Sequence, residues 1–310
     1  MRASLVIPTY NRNHILCQTV LCALQQDFSN YEILLVDQSE RHDRDTTEFL
    51  CSLPRRARVI LHKPPSLPGA RNRGIREAKG DIIIMIDDDV VMDRDFVSEH
   101  VRCYGDPEIA FVTGRITQDA RYVNRVPFFF RSEFLKWFSS TNFQGREPGE
   151  AYRLAGGNFS GRKDAMLEVG LFDEHFIGTA WGEEYDFSLR VRRRGLRIRY
   201  HPGAHLHHLN AREGGCGSRS RFDADTVYSK AHNLAYLIEK NRVGKTCYPY
   251  LLWYIYKQVL IKKDYISIRG ARFLPAGHVA LARRGRGLAV KPRRLPVGVK
   301  AQQRERMEGV

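Results

Sequence analysis

The sequence predicts an α/β fold, a mostly parallel sheet with helices on both faces. Three observations predict it. Through the first hundred residues, short β-branched runs alternate with segments whose apolar residues recur at helical spacing. The strand-like runs are almost wholly apolar, as expected where both faces of a sheet are covered. The chain is also long and apolar enough to bury such a core, with 310 residues of which 43% are hydrophobic.

Taken in order, "SLVIP" is the first strand and "NHILCQTVLCALQQ" the helix after it. "YEILLVDQS" is a second strand ending at Asp37, and "ARVILH" a third. "GARNRGIREAKG" reads as a helix stopped by Gly80, and "DIIIMIDDD" as a fourth strand. The middle, residues 106–223, is less regular. It holds "FVTGRI", the aromatic "VPFFFRSEFLKWF" and the Gly-rich "LAGGNFSGRKDAMLEVGLFDE". "WGEEYDFSLRVRRRG" then reads as a helix, acidic in its first turn, basic in its last and stopped by Gly195. Residues 225–263 are helical and aromatic, and a Gly-, Pro- and Arg-rich tail follows that reads as poorly ordered. The expected units are 1–105, the regular α/β half; 106–224, the less regular half; 225–270, a helical extension; and 271–310, a basic flexible tail.

The formal net charge is +15, and residues 271–310 carry ten Lys/Arg against two Glu. A basic balance suits an anionic partner: a nucleotide, a phospholipid surface or nucleic acid. No helix–turn–helix, zinc or RNA-binding signature supports nucleic acid, so none is expected as a partner. The six cysteines form no C-x-x-C pair and no disulfide framework, which reads as a reduced, cytoplasmic compartment. The N-terminus turns polar too soon for a signal peptide. The longest apolar run, residues 248–261, contains Lys257 and falls short of the ~20 residues a span needs. Its tyrosines, Trp253 and flanking lysines fit either the interface of an anionic membrane or a core helix.

The chemistry concentrates at Asp87, Asp88 and Asp89, at the carboxyl end of the fourth strand. Ligands of parallel α/β sheets bind at that edge. Adjacent carboxylates repel unless a cation or donor offsets them. Mg²⁺ is typically held by one or two carboxylates plus substrate phosphates. Alternation sends Asp87 and Asp89 one way and Asp88 the other, a D-x-D pair facing one metal and diphosphate. An isolated D-x-D is more often a solvated turn; the buried strand leading into this one argues for the site. "IPTYNR" and "VDQS" end neighbouring strands on the same edge. Asp37 can accept from a base N–H, the backbone of Pro8 to Asn11 can line the base, and Arg71 or Arg73 can meet a diphosphate.

In matching order over residues 3–210, "IPTYNR", "EILLVDQS", "ARNRGI", "AKGDIIIMIDDD", "GGNFSGRKDAMLEVGLFDE" and "WGEEYDFSLRVRRRG" resemble the inverting glycosyltransferases of family 2. The resemblance implies a GT-A type Rossmann-like mixed sheet flanked by helices, with a C-terminal helical extension. It implies a nucleoside-diphosphate sugar donor, Mn²⁺ or Mg²⁺ at the D-x-D, and a saccharide or lipid-linked acceptor. It places Pro8, Tyr10, Asn11 and Asp37 around the nucleotide and Arg71 near the base or phosphates, with Thr9, Arg12 and Asp88 in the same nucleotide-binding set. Asp87 would meet the ribose or the metal's water shell, and Asp89 the metal itself. Two departures stand out. Asp37-Gln38-Ser39 replaces the usual "D-D/N-G/C-S", and "GEEYD" replaces the usual "G-E-D-x-D".

Inverting transfer to a hydroxyl needs a base on the face opposite the leaving nucleotide. The resemblance points to Glu184, with Glu183 and Asp186 left open because Glu is one methylene longer than the usual Asp. Carboxylates at a helix start can also simply complement its dipole. Trp181 suits the wall of an acceptor subsite, and Gly156, Gly157 and Asn158 of "GGNFSG" would lie beside the sugar or acceptor. Related enzymes complete the metal shell with a histidine beyond this helix. "HPGAHLHHLN" offers His201, His205, His207 and His208, and spacing from Pro202 favours His208. Alternation puts His208 on the side of Leu206, a conflict removed if the strand ends at His207. Imidazole suits Mn²⁺ better than Mg²⁺. "AREGGCGSRSR" reads as a mobile loop whose Arg212, Arg219 and Arg221 help hold a diphosphate.

The leading reading is a metal-dependent inverting transferase building surface polysaccharide, peripheral on the inner membrane face. Sugar transfer to a polyprenyl phosphate is a close alternative, against which "WGEE" argues because that acceptor needs no base. A sugar-nucleotide pyrophosphorylase lacks its Gly-rich N-terminal signature here. A non-catalytic nucleotide or nucleic-acid binder is disfavoured by the intact carboxylate set.

Overall fold

A computed structural model describes residues 1–118, 143–211, 213–215 and 224–242, together with 249 and 252. Strands β1 (Ala3–Thr9), β2 (Tyr31–Asp37), β3 (Ala57–Leu61) and β4 (Ile82–Ile86) alternate with helices α1 (His14–Leu24), α2 (Arg44–Cys51) and α3 (Leu67–Glu77). Then come β5 (Val90–Met92), α4 (Phe96–Arg102), β6 (Ile109–Thr117), β7 (Gly149–Glu150), β8 (Asn158–Arg162) and α5 (Lys163–Val169). The order closes with α6 (Glu183–Arg193), β9 (Arg197–His208) and α7 (Ala224–Asn241). The strands form one sheet in the order β3-β2-β1-β4-β8-β6-β9-β5, with β7 paired to β9. The first four strands are parallel neighbours, and β8 runs antiparallel between β4 and β6. The sheet is therefore mixed, and the two expected halves share it.

Alternation explains the two cores. Leu5, Ile7, Ile33, Leu35, Ile82, Ile84 and Ile86 face α1 and α4, joined by Leu16, Val20 and Phe96. Val6, Leu34, Val36, Ile83 and Met85 face the other side, with Ile75 of α3, Met166 of α5 and Phe187 of α6. Each fully buried side chain of this size contributes about 1.5–3 kcal/mol. Both faces being covered is what makes the strands read as unbroken apolar runs.

Three details differ from the expectations. The third helix ends at Glu77, and Ala78 is already extended. Gly80 does not stop it; the Gly80 amide instead donates to Ser4 Oγ beside β1 (2.8 Å). Helix α2 has no counterpart in the reading above; Asp43 caps it by accepting from the Thr46 amide (2.8 Å). Strand β9 ends at His208, one residue later than a strand ending at His207. Gly195 does follow α6, in the left-handed region at φ 73. The aromatic segment 126–138, Arg212, Arg219 and Arg221, and the tail 271–310 lie outside the described residues, as does most of 248–261.

Candidate active site

The carboxylate triplet sits where the chain leaves β4 for β5 at the opposite edge of the sheet. Strand β5 pairs antiparallel with the end of β9, in register Val90↔His208. That register sets His208 beside the triplet. Its Nε2 lies 3.4 Å from Asp87 Oδ2 and 3.3 Å from Asp89 Oδ1. Ligand atoms of Asp87, Asp89 and His208 all fall within 4.8 Å of one another. The Asn210 amide donates to His208 Nδ1 (3.1 Å), so Nε2 is the nitrogen turned to the carboxylates. Two carboxylates and an imidazole form a donor set that fits a divalent ion such as Mn²⁺. The conflict over His208 dissolves: it does share the side of Leu206, but Leu206 is in the core and His208 is the strand's last residue.

Asp88 points the other way. Its Oδ2 accepts from Thr9 Oγ1 (2.8 Å) and its Oδ1 from Arg12 Nε (3.2 Å). Burial pushes its carboxyl up to about 6, against Arg12 and Thr9, and the adjacent Asp89 and Asp87 add to the rise. The buried Arg12 also reaches Asp89 Oδ2 (3.2 Å), which accepts from the Ala211 amide as well (2.9 Å). The triplet's repulsion is thus offset from within by Arg12. Thr9, Arg12 and Asp88 were expected against the nucleotide. Thr9 and Arg12 instead both bond Asp88, which the pleat turns inward, and Arg12 reaches on to Asp89.

The parallel register Thr9↔Asp37 brings the two strand ends together. Pro8 is buried and Tyr10 partly exposed. Asn11, at φ 51, donates its amide to Ser39 Oγ (2.8 Å). Asp37 accepts from the Ser39 amide (2.9 Å) and from His42 Nε2 (2.9 Å), while His42 Nδ1 meets Arg12 O (2.9 Å). With acceptors at both nitrogens, His42 ties the Asp37 carboxylate to the Arg12 backbone. Nothing in the reading of "VDQS" singled out His42; a histidine five residues beyond Asp37 was the available signal. Residues 213–215 lie against this edge: the Gly215 amide donates to Tyr10 O (2.7 Å) and Arg12 to Glu213 O.

Across the site, Arg71 donates to Gly156 O (2.7 Å), lies 3.9 Å from Asp87 and is ion-paired with the buried Glu183. Gly157 backs directly onto the Asp87 carboxylate; a Cβ there would collide with Oδ2. A Cβ at Gly156 would come within 3.7 Å of Glu184 Cδ, so Glu184 lies against the same turn as Asp87. Glu184 is partly buried. Burial pushes its carboxyl above the ordinary range; its own amide, Arg71 and Arg153 pull the other way, and Asp87 adds to the rise. Trp181 lies near Tyr185, ring centroids 6.2 Å apart.

Two candidates are not brought to this cleft. Asp186 is fully buried and accepts from Arg190 Nε (2.9 Å), Lys240 Nζ (2.8 Å) and Asn241 Nδ2 (3.0 Å). It sits on the face of α6 that docks α7. Asn158 is fully buried too, donating to Arg115 O and Ala204 O and bonded to His100 Nε2 (each 2.9 Å). Its side chain braces the sheet and is not offered to a sugar. The other histidines are also engaged: His201 with Glu99, His205 with Asp93, and His207 with Thr117.

Residues 4–170, more than half of the chain, match the family described as Glycosyl transferase family 2. The chain is 28% identical over 223 residues to a glucosyl-dolichyl phosphate glucuronosyltransferase of Haloferax volcanii, covering 67% of this chain and 69% of that one. It is 26% identical over 247 residues to a chondroitin synthase of Escherichia coli, covering 66% of this chain and only 34% of that one. Among solved structures, a mannosyltransferase from Pyrobaculum calidifontis in complex with GDP-Man and Mn²⁺ superposes with a TM-score of 0.55 at 17% identity, over 93% of this chain and 76% of that one. GalNAc-T7 with UDP, GalNAc and Mn²⁺ superposes at 0.56, again at 17% identity, over 86% and 58%. These two likenesses speak for the GT-A fold.

Proposed function

The chain belongs to glycosyltransferase family 2, and we propose that it transfers a sugar, with inversion and with Mn²⁺ or Mg²⁺, from a nucleoside-diphosphate sugar to a saccharide or lipid-linked saccharide acceptor. The observation that carries this reading is the convergence of Asp87, Asp89 and His208 beside the Gly156–Gly157 turn, with Glu184 against the same turn. Asp37, Tyr10 and Asn11 line the base subsite, and Arg71 faces the diphosphate. Asp87, Asp89 and His208 would hold the ion, which when bound offsets charge on the leaving diphosphate. Glu184 takes the proton of the attacking hydroxyl, and its raised affinity for protons suits that task. Arg12, by neutralising Asp88 and part of Asp89, keeps the carboxylates fixed before the donor arrives. Glu183 holds Arg71 in place, and Trp181 walls the acceptor side.

A relative named for glucosyl-dolichyl phosphate supports a lipid-linked acceptor, and one named chondroitin synthase supports polysaccharide synthesis. The reading assigns the protein to surface polysaccharide synthesis, in the cytoplasm against the inner face of the membrane. The net charge of +15 supports an anionic surface as partner. Among the described residues, no helix is long and apolar enough to cross a membrane.

The test is a panel of nucleotide sugars with Mn²⁺ or Mg²⁺, with neutral and acidic acceptors, scored by released nucleoside diphosphate. Turnover of one donor that stops on chelation is the expected result. No turnover or binding of any donor across the panel would count against the reading.

A further inference from the structure

Arg153 lies between β7 and β8, three residues ahead of Gly156. Its guanidinium carbon sits 4.4 Å from the ring centroid of Phe143 and 4.7 Å from that of Tyr185. The group therefore lies within cation–π distance of two aromatic rings, which hold it in place. Yet it makes no hydrogen bond and no ion pair among the described residues, and its Nε is buried without a partner. Other arginines of the site and of the helix after it do find carboxylates: Arg71 pairs with Glu183, Arg12 with Asp88 and Asp89, and Arg190 with Asp186. A partly buried cation whose donors are unused is costly unless something arrives to meet them, and ligand sites are where such groups persist.

Its place says what arrives. Tyr185 follows Glu184 directly, and its ring neighbours Trp181. Arg153, Tyr185 and Trp181 thus neighbour one another beside Glu184. The charge of Arg153 also acts on the Glu184 carboxyl, in keeping with that placement.

We infer that Arg153 binds an anionic group on the acceptor, a carboxylate or a phosphate, next to the hydroxyl that Glu184 deprotonates. This rests on the transferase reading above. It makes the acceptor acidic: either a uronic acid in a glycan or a prenyl-phosphate-linked sugar. An arginine matches either group with two parallel N–H···O bonds. Neutral sugars gain nothing from it.

Binding of three probes tests this: p-nitrophenyl glucuronide, farnesyl phosphate and the neutral p-nitrophenyl glucoside, measured by calorimetry on the wild type, Arg153→Gln and Arg153→Lys. Pyrophosphate binding serves as a readout of the diphosphate site. The expected result is that one acidic probe binds about tenfold tighter than the glucoside. Arg153→Gln erases that preference and leaves pyrophosphate binding intact, and Arg153→Lys keeps part of it. Preference for the glucuronide identifies a uronate, and preference for farnesyl phosphate a lipid phosphate. Equal binding of all three probes by the wild type, or an undiminished preference in a folded Arg153→Gln protein, overturns the inference. Because these readouts need no turnover, a failed donor panel leaves them separately decidable.

Discussion

Glu184 and Asp186 are two carboxylates one helical half-turn apart, and their surroundings give them opposite tasks. Glu184 faces the Gly156 turn, and its carboxyl is held above the ordinary value of 4.5 by burial. Glu184→Gln should lower transfer by about 10²–10⁴-fold while nucleotide binding persists, measured as product formation beside calorimetric affinity. The base works only when ionised, so kcat/KM should fall on the acid side with a midpoint above 4.5, and Glu184→Gln should lose that limb. Asp186 is bonded to Arg190, Lys240 and Asn241. Asp186→Ala should cost about 3–5 kcal/mol of stability, read as a lowered melting temperature, with turnover per folded molecule nearly unchanged. The sequence motif offered three acids at this helix start. The resemblance favoured Glu184 but left Glu183 and Asp186 open, because Lys240 and Asn241, which with Arg190 claim Asp186, come from a helix some fifty residues on. Arg153 was not legible because Tyr185, the ring that sets it beside Glu184, comes from a helix thirty-two residues on.

At the scale of elements, strand pairing brings the candidate metal ligands together. Asp87 and Asp89 are legible from the apolar run that ends at Ile86. His208 is placed by the β5–β9 register, which a three-residue stretch of β5 does not announce in sequence. A bulge in β9 opposite Gly114 and Arg115 further hides the phase of its histidines from simple alternation. The β8 entry turn then closes the site, since Gly157 leaves room for the Asp87 carboxylate. Gly157→Ala should push that carboxylate aside at little cost in stability. Metal affinity and activity should fall about 10–100-fold, read by Mn²⁺ titration alongside thermal melting. The parallel strands and their helices were legible because burial on both faces leaves a strong apolar signal. Helix α2 was not, because Thr46 is the one residue in it that is buried.

At the largest scale, the described residues form one mixed sheet with the candidate site along the carboxyl edge of its parallel half and α7 packed on α6. Besides Asp186, Lys240 and Tyr236 of α7 bind Asp173 in the loop leading to Glu184 (2.6 and 2.8 Å). Burial raises the Asp173 carboxyl, but hydrogen bonds from Lys240, His175 and Tyr236 outweigh it and hold it below the ordinary range. A carboxyl depressed in the folded state lends stability in full above its unfolded value, about 3.9, and loses it as pH falls below that. Melting temperature should therefore drop on acidification below about pH 4, and less steeply in Asp173→Asn. The net basic charge was legible in composition alone, though composition does not say which surface it serves.

On the proposed function, Asp87, Asp89 and His208 hold a divalent ion for a nucleoside diphosphate. Calorimetric titration of a nucleoside diphosphate, with and without Mn²⁺, into wild type and Asp89→Ala tests it most directly. The account predicts that Mn²⁺ tightens binding to the wild type by about tenfold or more and leaves Asp89→Ala unchanged. Equal enhancement by Mn²⁺ in both proteins, or none in the wild type, would contradict it.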